Sequence, residues 1–106
     1  MEIRRGDIVL VNLEPVKGSE QGKTRPAIIV QNDLGNQYSP TTIIAPITST
    51  IFSKEFPTNV AISKKDSKLE KDSTILLNQI RTIDKSRIIK KLSRADITIM
   101  NKVNLA

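Results

Sequence analysis

The sequence predicts a mainly β domain, built as a small barrel or as two packed sheets, with one helix at its C-terminal end. Two observations support this fold class. Short runs rich in β-branched residues recur along the chain, separated by clusters of turn-forming residues. Only the last part of the chain has apolar residues at helical spacing. With 106 residues, the chain is long enough for a single domain, residues 1–106, with a modest core.

Six short runs along the chain are predicted to be strands. The first ends before Glu14-Pro15, where a polar segment bracketed by Gly18 and Gly22 begins. The second is an uninterrupted apolar run after Arg25-Pro26, which is typical of a strand buried on both faces. In the third, Pro46 indicates an edge position or a bulge. The predicted strands are Ile8–Leu13, Ala27–Gln31, Thr41–Ile47, Asn59–Ile62, Thr74–Ile83 and Arg87–Leu92.

The connections between these strands are polar. Asn32–Asn36 is dense in turn-forming residues, and Asp84–Ser86 is predicted to be a turn. Residues 48–58 have no clear period. Lys64–Asp72 alternates charges and is compatible with one helical turn outside the core.

The C-terminal helix is predicted from both its start signal and its pattern. Ser93 followed by Asp96 resembles a capping box in which aspartate replaces the usual glutamate. Ile97, Met100 and Val103 then recur at helical spacing. We therefore expect one amphipathic helix from about residue 94 to about residue 104.

The composition narrows the possible functions. The 17 Lys and Arg exceed the 11 Asp and Glu, for a net charge of +6, which favours nucleic acid, an acidic protein segment or a membrane surface as partner. The alternative is that the surplus only keeps the protein soluble. The chain has no cysteine and no histidine, which excludes disulfides, thiolate chemistry and a Ser-His-Asp triad. The scattered acids do not favour a metal site. No signal peptide or bilayer-spanning run is recognised, so a cytoplasmic location is expected.

The remaining polar groups suit phosphate chemistry. Arginine, lysine and hydroxyl side chains bind phosphate and stabilise developing negative charge. RNA also supplies its own nucleophile, the ribose 2′-hydroxyl. A ribonuclease that makes a cyclic phosphate therefore needs a proton acceptor, a proton donor and a cation at the phosphate.

Four segments resemble the MazF/PemK family of toxin endoribonucleases and stand in the family's order. They are RRGDIVLVNLEP (Arg4–Pro15), GSEQGKTRP (Gly18–Pro26), PITST (Pro46–Thr50) and LLNQIRTIDKSRI (Leu76–Ile88). The resemblance implies a homodimer of SH3-like barrels, the PemK/CcdB-like toxin fold. It also implies metal-independent cleavage of single-stranded mRNA at short sequences, without a cofactor, leaving 2′,3′-cyclic phosphate and 5′-hydroxyl ends. A cognate antitoxin with an acidic C-terminal segment would neutralise the toxin.

The resemblance also suggests catalytic residues. The family's arginine falls on Arg25 and its threonine on Thr48, and both would contact the scissile phosphate. Glu20 is our candidate proton acceptor, and Ser19 would either donate to the phosphate or cap a turn. The structural alternatives are an Arg25 paired with a carboxylate, a plain strand-end Thr48 and a solvated Glu20.

Substrate-binding residues are expected beside the catalytic ones. Asn78 and Gln79 fall on a strand that helps to read bases in relatives, although outward-facing amides on a strand are an equal alternative. The other candidate substrate-binding residues are Lys23, Thr58 and Arg81. The chain departs from some relatives, which have histidine at Ser19, and arginine and aspartate at Leu76 and Asn78. Two other functions stay open: a DNA gyrase poison of the same fold and a non-catalytic RNA-binding barrel.

Overall fold

The computed structural model describes residues 2–13, 24–50 and 57–105. In these residues, strands, short helices and two turns of 3₁₀ helix alternate along the chain. The strands are β1 (Asp7–Asn12), β2 (Thr24–Ile29), β3 (Thr41–Thr48), β4 (Asn59–Ile62), β5 (Ser73–Leu76), β6 (Arg81–Asp84) and β7 (Ile88–Arg94). The helices are α1 (Asp33–Tyr38), α2 (Lys64–Ser67) and α3 (Ile97–Leu105), and the 3₁₀ turns are Leu77–Gln79 and Lys85–Arg87. The predicted class, mainly β with a C-terminal helix, is confirmed.

Strand β3 lies at the centre of an antiparallel sheet. The strand order is β4-β5-β3-β2-β1-β7, and β6 also pairs with β3. One edge of β3 pairs with β2, and the other pairs first with β6 and then with β5. Within the described ranges no ladder joins β4 to β7. A side-chain bond connects β7 to helix α2, which follows β4, because the Ser93 hydroxyl donates to the Ser67 carbonyl.

The chain makes an insertion between β5 and β6, so the prediction of one continuous strand over Thr74–Ile83 is wrong. Ile47 pairs with Ile75, and Ile44 pairs with Arg81. These pairs are three positions apart on β3 but six positions apart on the segment that faces it, from β5 to β6. That segment therefore has three extra residues. The extra residues form the 3₁₀ turn Leu77–Gln79, in which Asn78 and Gln79 are exposed.

Pro46 explains where this insertion occurs. The Ile43 carbonyl accepts hydrogen bonds from Val30 and Gln31, on the β2 side. Backbone groups alternate between the two edges along an antiparallel strand, so those of Pro46 face the β5/β6 edge. Proline has no N–H to donate, and the facing chain bulges away at this level. The expected bulge therefore lies on the partner of Pro46, while β3 itself is a central strand.

Apolar side chains pack in two clusters, one on each face of β2. Ile28 belongs to the cluster that α3 covers with Ile99 and Val103. Ala27 and Ile29 belong to the second cluster. All three β2 residues are completely buried, which confirms that the apolar run is buried on both faces.

Helix α3 starts later than the sequence pattern indicated. Asp96, rather than Ser93, caps the helix, because its Oδ1 accepts the Ile99 N–H at 2.9 Å. Ser93 remains in β7. The buried face is formed by Ile99 and Val103, whereas Ile97 is 77% exposed, so its assignment to the apolar face is wrong. Among the described residues, no helix is long and apolar enough to cross a membrane.

Helix α1 occupies the segment that was predicted to be a turn. Asn32 caps it, its side chain accepting the Gly35 N–H at 2.8 Å. The buried Asn36 holds the helix against β3, because its Oδ1 accepts a hydrogen bond from the Thr42 hydroxyl at 2.7 Å. At its start, the Arg5 N–H donates to Asp33 Oδ1 at 2.6 Å, and this bond lowers the pKa of Asp33 below its usual value.

Candidate active site

Arg25 lies inside strand β2, whose first residue is Thr24 rather than the predicted Ala27. It pairs with Val11 of β1, and its chain neighbours Thr24 and Pro26 pair with the same strand, which fixes its backbone. Its side chain is half-buried. None of the ion pairs found among residues 2–13, 24–50 and 57–105 involves Arg25. The described residues therefore supply no carboxylate of the kind that the structural alternative requires.

The register of β2 and β3 brings Arg25 and Thr48 to the same end of two neighbouring strands. Ala27 pairs with Pro46, and Ile28 pairs with Ala45. In this antiparallel register, one step back along β2 matches one step forward along β3. The ladder ends at Ala27 and Pro46, and Arg25 and Thr48 each lie two residues beyond it, at the same end of the two strands. A cation and a hydroxyl so arranged can contact the same phosphate group.

Thr48 is the last residue of β3, and its hydroxyl is engaged in a local turn. The Thr50 N–H donates to Thr48 Oγ1 at 3.2 Å, and Thr48 Oγ1 donates to Thr50 Oγ1 at 3.3 Å. The Thr48 hydroxyl thus accepts from the Thr50 backbone and donates to the Thr50 side chain, within the turn. A phosphate oxygen that took the place of Thr50 Oγ1 would receive the same proton, so the group can serve as a hydrogen-bond donor to phosphate.

Four of the five predicted substrate-binding residues lie near the other edge of β3, and the fifth, Lys23, is outside the described residues. Asn78 and Gln79 are exposed on the 3₁₀ turn, not on a strand as expected. The turn is anchored by its first residue, since the Leu77 N–H donates to the Thr58 carbonyl at 2.9 Å. Arg81 opens β6 and is exposed. These four candidates, Thr58 included, therefore cluster around the insertion between β5 and β6.

The chain matches a known family over nearly its whole length. Residues 4–106 match the family described as PemK-like, MazF-like toxin of type II toxin-antitoxin system. The chain is also 54% identical over 104 residues to Endoribonuclease MazF of Staphylococcus saprophyticus, covering 98% of this chain and 87% of that protein. It belongs to the PemK/MazF toxin family. Its enzyme class is that of the MazF endoribonucleases, and it is part of a toxin-antitoxin system.

Solved MazF structures share the fold. The MazF of Deinococcus radiodurans is 26% identical, with a TM-score of 0.78, over 98% of this chain and 91% of that chain. A mycobacterial endoribonuclease, solved in complex with its cognate antitoxin, is 23% identical, with a TM-score of 0.80, over 97% of this chain and 88% of that chain. These likenesses support the mainly β architecture deduced from the sequence.

Three candidates of the PemK/MazF signature, Ser19, Glu20 and Lys23, lie outside the described residues. The strand ends that flank their segment are described, and Asn12 pairs with Thr24 there. Of the three positions at which the chain departs from some relatives, Leu76 and Asn78 are described and Ser19 is not. Leu76 is buried at the end of β5, while Asn78 is exposed.

The structure adds two hydroxyl residues that sequence reasoning missed. Thr50 belongs to the PITST segment. A threonine hydroxyl commonly accepts from the backbone N–H two residues later, so the spacing of Thr48 and Thr50 could have suggested their contact. Thr74 lies 26 positions after Thr48, and the two are paired across β3 and β5. No local signal in a PemK/MazF sequence reveals that contact.

Among the described residues, no group of three or more Asp and Glu is arranged to hold a metal ion. What the described part of the site offers a ligand is the guanidinium groups of Arg25 and Arg81, several hydroxyls and the side-chain amides of Asn78 and Gln79.

Proposed function

We propose that the protein is a sequence-specific endoribonuclease toxin that cleaves single-stranded mRNA without a metal ion. The cleavage would leave 2′,3′-cyclic phosphate and 5′-hydroxyl ends. The observation that carries the proposal is the position of Arg25 and Thr48 at the same end of the paired strands β2 and β3, in a chain of the MazF family. It supports one anion site formed by the Arg25 cation and the Thr48 hydroxyl.

In the proposed reaction the substrate supplies the nucleophile. The 2′-hydroxyl oxygen forms a bond to phosphorus, its proton passes to an acceptor, and the bond from phosphorus to the 5′-oxygen breaks. The leaving 5′-oxygen takes up a proton, for which Arg25 is the candidate donor, and this completes the 5′-hydroxyl. No water or metal-bound hydroxide is needed in this step, and the products keep all of the substrate's atoms.

Each site residue has a role that matches its chemistry. Arg25 neutralises the charge that builds on the non-bridging oxygens, and its planar fork can bind two of them. Thr48 donates a hydrogen bond to one of these oxygens. We assign Glu20 as the proton acceptor and Ser19 as a further phosphate donor. Arg25 itself is not the base, because a guanidinium stays protonated.

Specificity would come from the insertion between β5 and β6. Side-chain amides both donate and accept hydrogen bonds, so Asn78 and Gln79 suit the edges of unpaired bases. Arg81, Lys23 and Thr58 would contact other parts of the RNA backbone. Base reading is thus assigned to the β5/β6 edge of β3, and binding of the scissile phosphate to the edge that pairs with β2.

Cleavage of a long RNA should persist in EDTA and yield 2′,3′-cyclic phosphate ends, because the 2′-hydroxyl replaces a metal-activated water. A matched oligonucleotide with 2′-deoxyribose at the cleavage point should bind but stay intact. The measurement is gel analysis of end-labelled RNA, with enzymatic mapping of the ends. Activity that returns only with a divalent ion, or products with a 5′-phosphate, would contradict the mechanism. RNA binding without cleavage would favour a non-catalytic barrel.

We further propose that the toxin is a homodimer restrained by an antitoxin with an acidic tail. The net charge of +6 would attract this tail as it attracts RNA. The mycobacterial endoribonuclease that was solved with its cognate antitoxin provides the precedent. Carboxylates of the tail would compete with RNA phosphates for Arg25, Lys23 and Arg81.

Inhibition by an acidic antitoxin peptide should weaken as salt rises, since exposed charges are screened within about 8 Å at physiological ionic strength. It should also be competitive with a short uncleavable RNA. Fluorescence anisotropy of a labelled peptide, titrated with RNA at several salt concentrations, measures both effects. A scrambled peptide of equal charge is the control. Simultaneous binding of peptide and RNA would overturn this account and leave the nuclease assignment intact.

A further inference from the structure

We propose that Thr74 is a positioning residue for Thr48. Its buried hydroxyl holds the turn that directs the Thr48 hydroxyl toward the phosphate. The inference rests on the proposed function, in which Thr48 donates to the scissile phosphate. It adds a residue from strand β5 that has no contact with RNA itself.

The contact between β5 and the turn lies beyond the end of the β3 ladder. Thr48 and Thr74 are the last pair of this ladder. Past it, the Thr74 hydroxyl donates to the carbonyl oxygen of Thr50 at 3.1 Å. Thr74 is only 4% exposed, whereas Thr50 is exposed. A buried hydroxyl requires a partner, and this one finds it in the backbone of the surface turn.

Thr50 is consequently held through both of its backbone groups. Its carbonyl accepts from Thr74, and its N–H donates to Thr48 Oγ1 at 3.2 Å. The N–H fixes the rotation of the Thr48 hydroxyl by occupying one lone pair. The two bonds form a continuous link from the buried interior to the surface hydroxyl: Thr74, then Thr50, then Thr48.

The link does not use the proton of the Thr48 hydroxyl, which a substrate oxygen can therefore accept. Thr48 Oγ1 donates to Thr50 Oγ1 at 3.3 Å, which is long for a bond between hydroxyls. An anionic phosphate oxygen makes shorter and stronger bonds, so it would displace this contact. The N–H bond that orients Thr48 can persist while substrate is bound. Thr74 therefore acts on orientation and not on binding charge.

Thr74→Val is the main test, because valine keeps the β-branched shape and removes only the hydroxyl. We expect kcat to fall by about 10- to 100-fold with KM nearly unchanged, since a misplacement of 1 Å can cost about 10²-fold. Thr74→Ser keeps the hydroxyl and should restore most of the activity. Independently of activity, the amide resonance of Thr50 should shift in Thr74→Val and return in Thr74→Ser.

Thr42→Val is the matched control. Thr42 is also a buried threonine, and its hydroxyl donates to Asn36 Oδ1 at 2.7 Å, six positions before Thr48 on β3. It should show a similar loss of thermal stability with kcat unchanged. If Thr74→Val does not fold, the thermal stability and kcat of Thr74→Ala are compared with those of Thr42→Ala instead.

Combination with Thr48→Ala separates the possible failures. If Thr74 acts through Thr48, the double variant should be about as slow as Thr48→Ala alone. Additive losses, or a Thr74→Val kcat equal to that of Thr42→Val, would overturn the positioning role. If Thr48→Ala itself keeps wild-type turnover, the proposed site fails, which is a different result.

Discussion

Arg25→Ala is expected to lower the cleavage rate constant by about 10²- to 10³-fold or more, the usual loss when a group that stabilises developing charge is removed. Arg25 of β2 and Thr48 of β3 lie at the same end of these two strands, which hold no other cation in the described residues. Arg25→Lys should recover little, because a point charge lacks the planar fork. Single-turnover cleavage of a short RNA measures the effect.

Controls for Arg25→Ala must separate chemistry from charge and folding. Lys102→Ala on α3 removes the same net charge from an exposed position and should leave cleavage unchanged. Circular dichroism and gel filtration should show that Arg25→Ala stays folded as a dimer. Near wild-type turnover by a folded Arg25→Ala protein would move the active site elsewhere.

Thr48→Ala is expected to slow cleavage by about 10- to 100-fold, because a hydrogen bond to a charged group contributes about 1.5–3 kcal/mol. Thr48→Ser should be milder, since it keeps the hydroxyl that the Thr50 N–H orients. Ser49→Ala, at the exposed neighbouring position in the same turn, is the matched control and should cleave normally. Equal rates for Thr48→Ala and Ser49→Ala would show that Thr48 is only a strand-end residue.

The strands were predicted well wherever the pattern was local. β4 has the predicted bounds, Asn59–Ile62, and β3 is one residue longer than expected. Both runs are largely apolar and β-branched; β4 packs into one core cluster, and β3 contributes to both. The pattern is sufficient here because burial of such a run requires no information from elsewhere in the chain.

Prediction failed where a distant contact decides the local structure. Asn32–Asn36 has the composition of a turn, but Asn36 is buried against Thr42, and this contact supports helix α1. The run from Thr74 to Ile83 reads as one strand, but its middle faces Pro46 and bulges. Asp96 caps α3 while Ser93 is retained in β7 by its bond to Ser67.

The sequence by itself determined the class of the fold and the toxin family and singled out Arg25 and Thr48 as site candidates, because the family's segments are contiguous along the chain. Only the tertiary structure decided how these candidates are placed relative to one another. Arg25 and Thr48 are 23 positions apart, and Thr74 lies 26 positions further on. The antiparallel registers of β2, β3 and β5 bring all three to one end of the sheet. Register depends on which strands pair and where Pro46 interrupts them, and neither can be read from one strand alone.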